Sequence, residues 1–428
     1  MQDMIKRVDR CRVCGRDDWL DVLSLGSTPL ANGLLEPAAE YNEPAYPVEV
    51  VVCRDCRLMS LRHVVNPEAL FGHYVYVSSD SASIRNQMRR IVGWCTEKVG
   101  LTEGDLVVEM GSNIGTQLLM FQEAGFRTVG VDPARNLTRI ANERGVETVA
   151  DFFGPDVTAP LARQHGEAML VLGRQCFAHI DDVHNILKGV DTVLAPEGAL
   201  VIEVPYLVDL LDDNQFDTIY HEHLSYFSVG TLQRLFALHG LRLIDVERAD
   251  VHGGSVIVFA ARNTGSRQPA PAVAEILALE AARELQTDEP YLRLAERARH
   301  VTTEVHRIVR DLVAAGKRVA CYGAPSKGNA LLMAAGLTSS EIEFCSDTTT
   351  LKQGKVLPGS HIPVCSPEEA ADRHPDYYLL LAWNYADEIV AKEREFLERG
   401  GKFIVPIPEP RVVSAHSGAE GLRGGAGR

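Results

Sequence analysis

From residue 84 onwards the chain alternates between two hydrophobic periods. A helical stretch over residues 84–99 leads into short unbroken apolar runs at Leu106–Met110, 128–131, 169–172 and 200–204, each bounded by glycine or acidic residues. That is the pattern of strands buried on both faces of a parallel sheet. Between them, residues 117–124 and 137–144 carry helical periodicity. Two further strand-like segments, Leu241–Ala249 and Ser255–Arg262, are joined by Val251-His252-Gly253-Gly254, which predicts an antiparallel hairpin closing the sheet edge. Residues 270–300, rich in Ala, Glu, Leu and Arg, read as a helical connector. A second alternating unit follows, with a helix over 301–315 ended by Gly316 and strands at 318–322, 342–345, 377–381 and 402–406. Upstream, residues 1–75 hold only short strand-like stretches with turn signals such as Ser27-Thr28-Pro29 and Asn32-Gly33. The predicted organisation is a small module over 1–75, an α/β domain over 76–265, a helical connector over 266–300, a second α/β domain over 301–413 and a disordered tail over 414–428.

Composition narrows the functional classes. A chain of 428 residues, 46% hydrophobic and 24% charged, is a soluble globular protein with material for several cores. Its formal charge of −15, spread along the chain, repels nucleic acid and anionic membranes and leaves room only for a local basic pocket around a small phosphate. No secretory signal and no apolar run of membrane-spanning length is present, so a cytoplasmic protein with neither a membrane nor a nucleic-acid partner is expected.

Four of the nine cysteines form two tight pairs, Cys11-x-x-Cys14 and Cys53-x-x-Cys56. A CxxC turn sets two thiolates on one side of a metal, and two such turns complete a tetrahedral shell, so Zn2+ is expected there. Four cysteine ligands leave no open position, which makes the metal structural; four free buried thiols or a redox dithiol fit this doubled spacing less well.

The strand at Leu106–Met110 runs into Gly111-Ser112-Asn113-Ile114-Gly115, where glycines allow a ligand close to the backbone. It is not GxGxxG, which weakens a dinucleotide reading. The next strand ends in Gly130-Val131-Asp132, where a carboxylate can grip both hydroxyls of a ribose. Strand, glycine turn, helix, strand and terminal acid resemble the layout of class I methyltransferases that bind S-adenosylmethionine. In Asp151-Phe152-Phe153 the aromatics can border an adenine or simply fill core.

The densest chemistry is Tyr220-His221-Glu222-His223. Histidines two apart cannot share a helix face, so HExxH zinc geometry is absent. One imidazole can act as general base beside a carboxylate, the alternative being two structural histidines. A further histidine, His179, follows the strand at 169–172 in Phe177-Ala178-His179-Ile180, a position that faces the ligand crevice of such sheets. In the C-terminal unit, Tyr322-Gly323-Ala324-Pro325-Ser326-Lys327-Gly328-Asn329 follows a strand and opens a helix. Its backbone N–H groups and Lys327 can hold a phosphate, although the order of a Walker loop is missing. Leu381-Ala382-Trp383-Asn384-Tyr385 ends a neighbouring strand at the same sheet edge.

Together these segments resemble the sugar C-methyltransferases that act on nucleotide-linked 4-keto deoxysugars in antibiotic and cell-surface glycan pathways. The resemblance runs through the CxxC pairs, Tyr74-x-Tyr76-x-Ser78-Ser79, residues 109–115, Phe177-Ala178-His179-Ile180-Asp181, Tyr220-His221-Glu222-His223, His252-Gly253-Gly254-Ser255, residues 323–329 and residues 381–387. It implies a class I methyltransferase doubly wound sheet with an N-terminal zinc-binding module and a C-terminal Rossmann-like domain that binds the nucleotide sugar. It further implies His223 as the base, with Glu222, Tyr220, His179 and Tyr76 in support. Glu109, Gly111, Ser112, Asn113, Gly115, Asp132, Phe153 and Gln175 fall to S-adenosylmethionine, and His221, Ser326, Lys327, Asn329 and Asn384 to a dTDP-linked keto-sugar. Ile114 stands where the family carries an acidic residue, and Gln175-Cys176 stands for a more usual Asn-Val. The implied reaction is methylation of a ring carbon, C3, through an enolate. O- or N-methylation is the nearest alternative. An NAD-dependent sugar oxidoreductase lacks its fingerprint here, and a zinc-ribbon nucleic-acid binder conflicts with the acidic charge.

Overall fold

The computed structural model describes residues 4–38, 40–72, 82–251 and 253–415. The expectations for Tyr74, Tyr76, Ser78 and Ser79, for His252 and for the tail beyond 415 fall outside those residues. The chain divides into two compact units: Met1–Asp21, Val51–Asp209 and Glu222–Asp288 form the first, and Val22–Val50, Leu210–His221 and Glu289–Arg428 the second.

The first unit is built on a seven-stranded sheet. Its strands are β1 (Leu106–Met110), β2 (Arg127–Val131), β3 (Thr148–Val149), β4 (Ala168–Arg174), β5 (Leu194–Pro205), β6 (Leu241–Ala249) and β7 (Ser255–Arg262), in the order β3-β2-β1-β4-β5-β7-β6. The order reverses at β1, where β2 and β4 flank it in parallel with Glu109 opposite Gly130 and Leu172. Such a switch point opens a crevice beyond the carboxyl ends of the strands. Every residue of β1 is buried, because Leu118 and Phe121 of the helix Thr116–Glu123 pack with Val107, Leu170, Val201 and Phe259 in one core. Only β7 runs antiparallel, paired with both β5 and β6, as the hairpin signal at residues 251–254 predicts. Asp182 caps the helix Val183–Val193 through the Asn185 N–H at 2.9 Å, and Ser228 caps Val229–Ala237 through Thr231 N–H at 3.1 Å. Near the metal-binding cysteines, Met59–Leu61 pairs antiparallel with Ser225–Tyr226.

The second unit carries β8 (Val319–Tyr322), β9 (Cys345–Ser346), β10 (Val364–Cys365), β11 (Tyr377–Leu380), β12 (Lys402–Val405) and β13 (Arg411–Val413), ordered β10-β9-β8-β11-β12-β13. All pairings are parallel except that of β13 with β12. The strand expected over 342–345 is confined to Cys345–Ser346; Glu343 and Phe344 bond to β8 at single points (Glu343 N–H to Val319 O at 3.1 Å, Cys321 N–H to Phe344 O at 2.8 Å) outside its paired register. A single helix, Glu289–Ala314, covers both the end of the predicted connector and the predicted helix after it. Segment 22–50 joins this unit through a bridge between Leu35 and Val356 and through Glu43, which accepts from Gly359 N–H at 2.9 Å and lies 2.7 Å from His361 Nε2. No helix among the described residues is long and apolar enough to cross a membrane.

Candidate active site

At the switch point of the first unit, Gly111 follows β1 with φ +65°. A Cβ there would meet the Cys176 Cβ at 2.7 Å, so the turn and the loop after β4 close on each other only over glycine. The Asn113 N–H donates to Asp132 Oδ2 at 2.8 Å and the Ala134 N–H to Oδ1 at 2.9 Å, which fixes the β2 carboxylate against the turn. Burial raises the Asp132 pKa, and those two amides oppose the shift. Gly115 precedes the helix Thr116–Glu123. Glu109 is 3% exposed, and burial pushes its carboxyl up to about 8, with Arg174 opposing and the charges of Asp132 and Glu203 adding. Across β4, Glu203 on β5 accepts from Arg174 Nε at 2.9 Å and from Gln87 Nε2 at 3.3 Å. Gln175, at φ +52°, donates through Nε2 to Ser255 Oγ at 3.0 Å. Phe153 is buried whereas Phe152 is exposed.

The loop after β4 carries His179 on a short 3-10 turn, Phe177–His179. Its ring stacks on that of His223, with centroids 5.0 Å apart and planes 13° apart, and Phe71 lies 5.8 Å from it at 3°. Burial, reinforced by His223, lowers the His179 pKa to about 3, so this ring is neutral throughout the physiological range. Leu224, next to His223, donates its N–H to Ala178 O at 2.9 Å, which sets the two histidine-bearing segments side by side. Glu222 is buried.

Tyr220 and His221 belong to the second unit. There His221 is buried with Nε2 3.0 Å from the Tyr46 carbonyl oxygen, which makes that nitrogen a donor. Lys327 Nζ donates to Asn384 Oδ1 at 2.6 Å and sits 4.1 Å from the Trp383 ring centroid. Trp383 Nε1 donates in turn to Asp217 Oδ2 at 2.6 Å, and Asp217 Oδ1 is buried without a hydrogen-bond partner. Ser326 hydrogen-bonds Asn32, and Asn329 is buried with Nδ2 3.3 Å from Ala31 O.

The sulfur atoms of Cys11, Cys14, Cys53 and Cys56 lie within 4.8 Å of one another, with Cys11 to Cys56 and Cys14 to Cys53 each at 3.5 Å. A tetrahedral zinc with Zn–S bonds of about 2.3 Å needs sulfurs about 3.8 Å apart. The donor set fits.

Comparison with known proteins decides the family. Residues 11–71 match a zinc binding domain, residues 85–246 a methyltransferase domain, and residues 250–408 a C-methyltransferase C-terminal domain. C-methyltransferase NovU of Streptomyces niveus is 59% identical over 418 residues, covering 97% of this chain and 100% of the relative. The chain belongs to this C-methyltransferase family. Among solved structures, magnesium protoporphyrin IX methyltransferase of Synechocystis matches at 13% identity and a TM-score of 0.33, over 42% of this chain and 79% of that one. A methyltransferase of Clostridium acetobutylicum matches at 12% identity and 0.34, over 45% and 94%.

As a C-methyltransferase the chain uses S-adenosylmethionine, and the crevice over Gly111 has groups to receive it. Glu109 Oε2 and Ser112 Oγ are buried with no protein partner, so Glu109, Ser112 and Asp132 would hold the polar parts of that ligand. The four-cysteine cluster is the structural zinc site of the family. Several contributors carry no sequence signal. Arg174 and Gln87 hold Glu203, and Asp217 anchors Trp383 from a segment with no motif. Cys176 is visible in the sequence only as a departure from the family, yet its side chain is what Gly111 accommodates.

Proposed function

We propose that this C-methyltransferase methylates C3 of a dTDP-linked 4-keto deoxysugar, with His223 as the base. The observation that carries this reading is the His179–His223 stack. An imidazole held neutral by burial covers one face of a second imidazole at 5.0 Å with planes 13° apart, which holds the second ring in a fixed orientation from which a placed base can accept a proton. The ketone at C4 acidifies the C3–H bond, His223 takes that proton, and the electron pair delocalises onto the C4 oxygen. When bound, S-adenosylmethionine supplies an electrophilic methyl, which the C3 carbon takes as the carbon–sulfur electron pair leaves on a neutral thioether. Positioning of the two reactants supplies about 7–11 kcal/mol of such a barrier reduction, and a placed base about 10²–10⁴-fold in rate.

In the second unit, Lys327 with Ser326, Asn329 and Asn384 is the proposed seat of the diphosphate. The N–H groups opening the helix Ser326–Ala335 favour an anion there. The deciding experiment is deuterium exchange at C3 of the keto-sugar in D2O with S-adenosylhomocysteine in place of the donor. The parent enzyme should exchange that proton. His223→Asn should lose exchange by at least about 10²-fold while binding S-adenosylhomocysteine as the parent does. Exchange at the parent rate in His223→Asn removes the base assignment.

A further inference from the structure

The second unit repeats, around its own switch point, the construction of the cofactor crevice in the first. Its strand order β10-β9-β8-β11-β12 matches β3-β2-β1-β4-β5 position for position. Gly323 follows β8 at φ +82° as Gly111 follows β1. The Gly323 N–H donates to Ser346 O at 2.8 Å, as the Gly111 N–H donates to Val131 O at 2.8 Å. A Cβ at Gly323 would meet the Ala382 Cβ at 3.0 Å, on the loop after β11, where Gly111 faces Cys176 on the loop after β4. The terminal acid recurs too. Asp347 follows β9, with Oδ2 accepting from Ala324 N–H and Oδ1 from Thr349 N–H, both at 2.7 Å. Asp132 makes the same two bonds to its own glycine turn and to the residue two ahead.

Beyond this turn lies a cavity of about 360 Å³ lined by Asp347, Lys352, Tyr385, Glu388, Ile389 and Lys392 among others, within the range of about 300–1,000 Å³ usual for small-molecule sites. We infer that this crevice is a second nucleotide site, separate from those of the methyl donor and the nucleotide sugar, and that it takes a ribonucleoside monophosphate. Each Asp347 oxygen has accepted one N–H and retains a lone pair for one hydroxyl of a vicinal diol. Where the first crevice has the buried carboxyl of Glu109 one residue before the strand end, the second has Cys321, so it lacks an anion for a cationic ligand. Instead Lys352, held by Ala324 O at 2.9 Å and 3.7 Å from Asp347 Oδ2, and the more exposed Lys392, 3.9 Å from Glu393 Oε1, face the cavity. Two lysines against two carboxylates leave the lining without net charge, which opposes a polyphosphate more than a single phosphate. Tyr385 and Ile389 form the apolar wall for a base.

The test titrates the full-length, zinc-loaded enzyme by calorimetry with each of the four common ribonucleoside 5′-monophosphates, with S-adenosylhomocysteine and dTDP present at saturation. At least one monophosphate should bind, one per chain. Its 2′-deoxy counterpart should bind at least tenfold more weakly, and Asp347→Asn and Lys352→Ala should each lose at least tenfold. Both variants should keep parent affinity for S-adenosylhomocysteine. Tyr385→Ala, on the rim, should weaken binding as well and covers the case in which Asp347→Asn fails to fold. The inference is overturned if no monophosphate binds, if ribo and deoxy forms bind alike, or if dTDP competes. The solvent-exchange experiment on His223 is independent of all these outcomes.

Discussion

Glu109 and His179 are both buried titratable groups beside the proposed reaction, and their shifts have opposite consequences. Burial holds the Glu109 carboxyl up at about 8, so it is protonated in the free protein at neutral pH. A sulfonium cation nearby favours the ionised form, so binding S-adenosylmethionine should release a proton. The affinity should therefore strengthen as pH rises from 6.5 towards 8, by at most about tenfold per unit. In Glu109→Gln that part of the pH dependence should vanish, as calorimetry in buffers of different ionisation enthalpy would detect; an equally steep profile in the variant would remove Glu109 from the cofactor site. For stability of the ligand-free protein the sign reverses. A raised carboxyl stabilises fully below its unfolded value near 4.5, and that contribution is lost as pH climbs through about 8. His179, lowered to about 3, stabilises above its unfolded value near 6.5, and the contribution is lost as pH falls from there towards 3. Thermal melts between pH 6.5 and 4 should therefore fall less steeply in His179→Gln than in the parent.

The short buried turn Phe216–Thr218 brings an element without any motif into the proposed diphosphate seat. Asp217 on that turn holds Trp383, whose ring lies under Lys327. Burial lowers the Lys327 pKa to about 8, and the Asp217 charge holds it from falling further. If Lys327 receives a diphosphate as a cation, dTDP affinity should fall as pH rises through about 8. In Asp217→Asn that fall should begin at lower pH, because the supporting charge is gone. Titration of dTDP from pH 6 to 9 checks this, and superimposable curves for parent and variant would refute the coupling. How much of this was readable from sequence follows from what each element depends on. Leu106–Met110 and its glycine turn depend on local composition, and the cysteine pairs on spacing, so both are plain in the chain. The short strand Cys345–Ser346 exists because β8 supplies a ladder, and Val364–Cys365 because Cys345–Ser346 supplies the next one; two-residue segments have no period to read. Asp217 has no neighbour in sequence that marks it, since its partners lie at 327 and 383. The duplication of the crevice was equally hidden, because Gly111 and Gly323 share a backbone conformation and a pairing pattern while their flanking sequences differ.

At the scale of the whole molecule, the zinc module is tied to the proposed catalytic segment, and Arg12 makes the tie next to the stacked histidines. Arg12 stands inside the first CxxC turn, buried, with Nη1 donating to Leu224 O at 2.8 Å and Nε paired with Asp181 Oδ1 at 3.3 Å. Leu224 is the residue after His223, and its own N–H is bonded to Ala178, the residue before His179. Thr231 Oγ1 adds a second tie to the Cys56 carbonyl at 3.0 Å, and Asp288 joins Arg54 at 3.0 Å and Arg57 at 2.7 Å around the second cysteine pair. The metal would therefore do more than fold a module with little core of its own: it would fix the turn from which Arg12 reaches Leu224, beside the stacked histidines. Truncation to Arg12→Ala removes the guanidinium from the Leu224 carbonyl, which keeps the Leu61 N–H at 3.0 Å, and from Asp181, which keeps Lys6 at 3.0 Å, at a cost of about 1–2 kcal/mol after allowance for the partial exposure of that aspartate. The expected outcome is a lower Tm together with a kcat reduced at least tenfold, while S-adenosylhomocysteine affinity, set by the β1 and β2 turns, changes less than threefold. Arg12→Lys should not restore kcat, because one ammonium cannot reach both acceptors as the guanidinium fork does. Chelation of the zinc should reproduce the same separation, with solvent exchange at the sugar carbon lost before cofactor binding. An Arg12→Ala enzyme that is less stable yet turns over at the parent rate would show that the module supports folding alone.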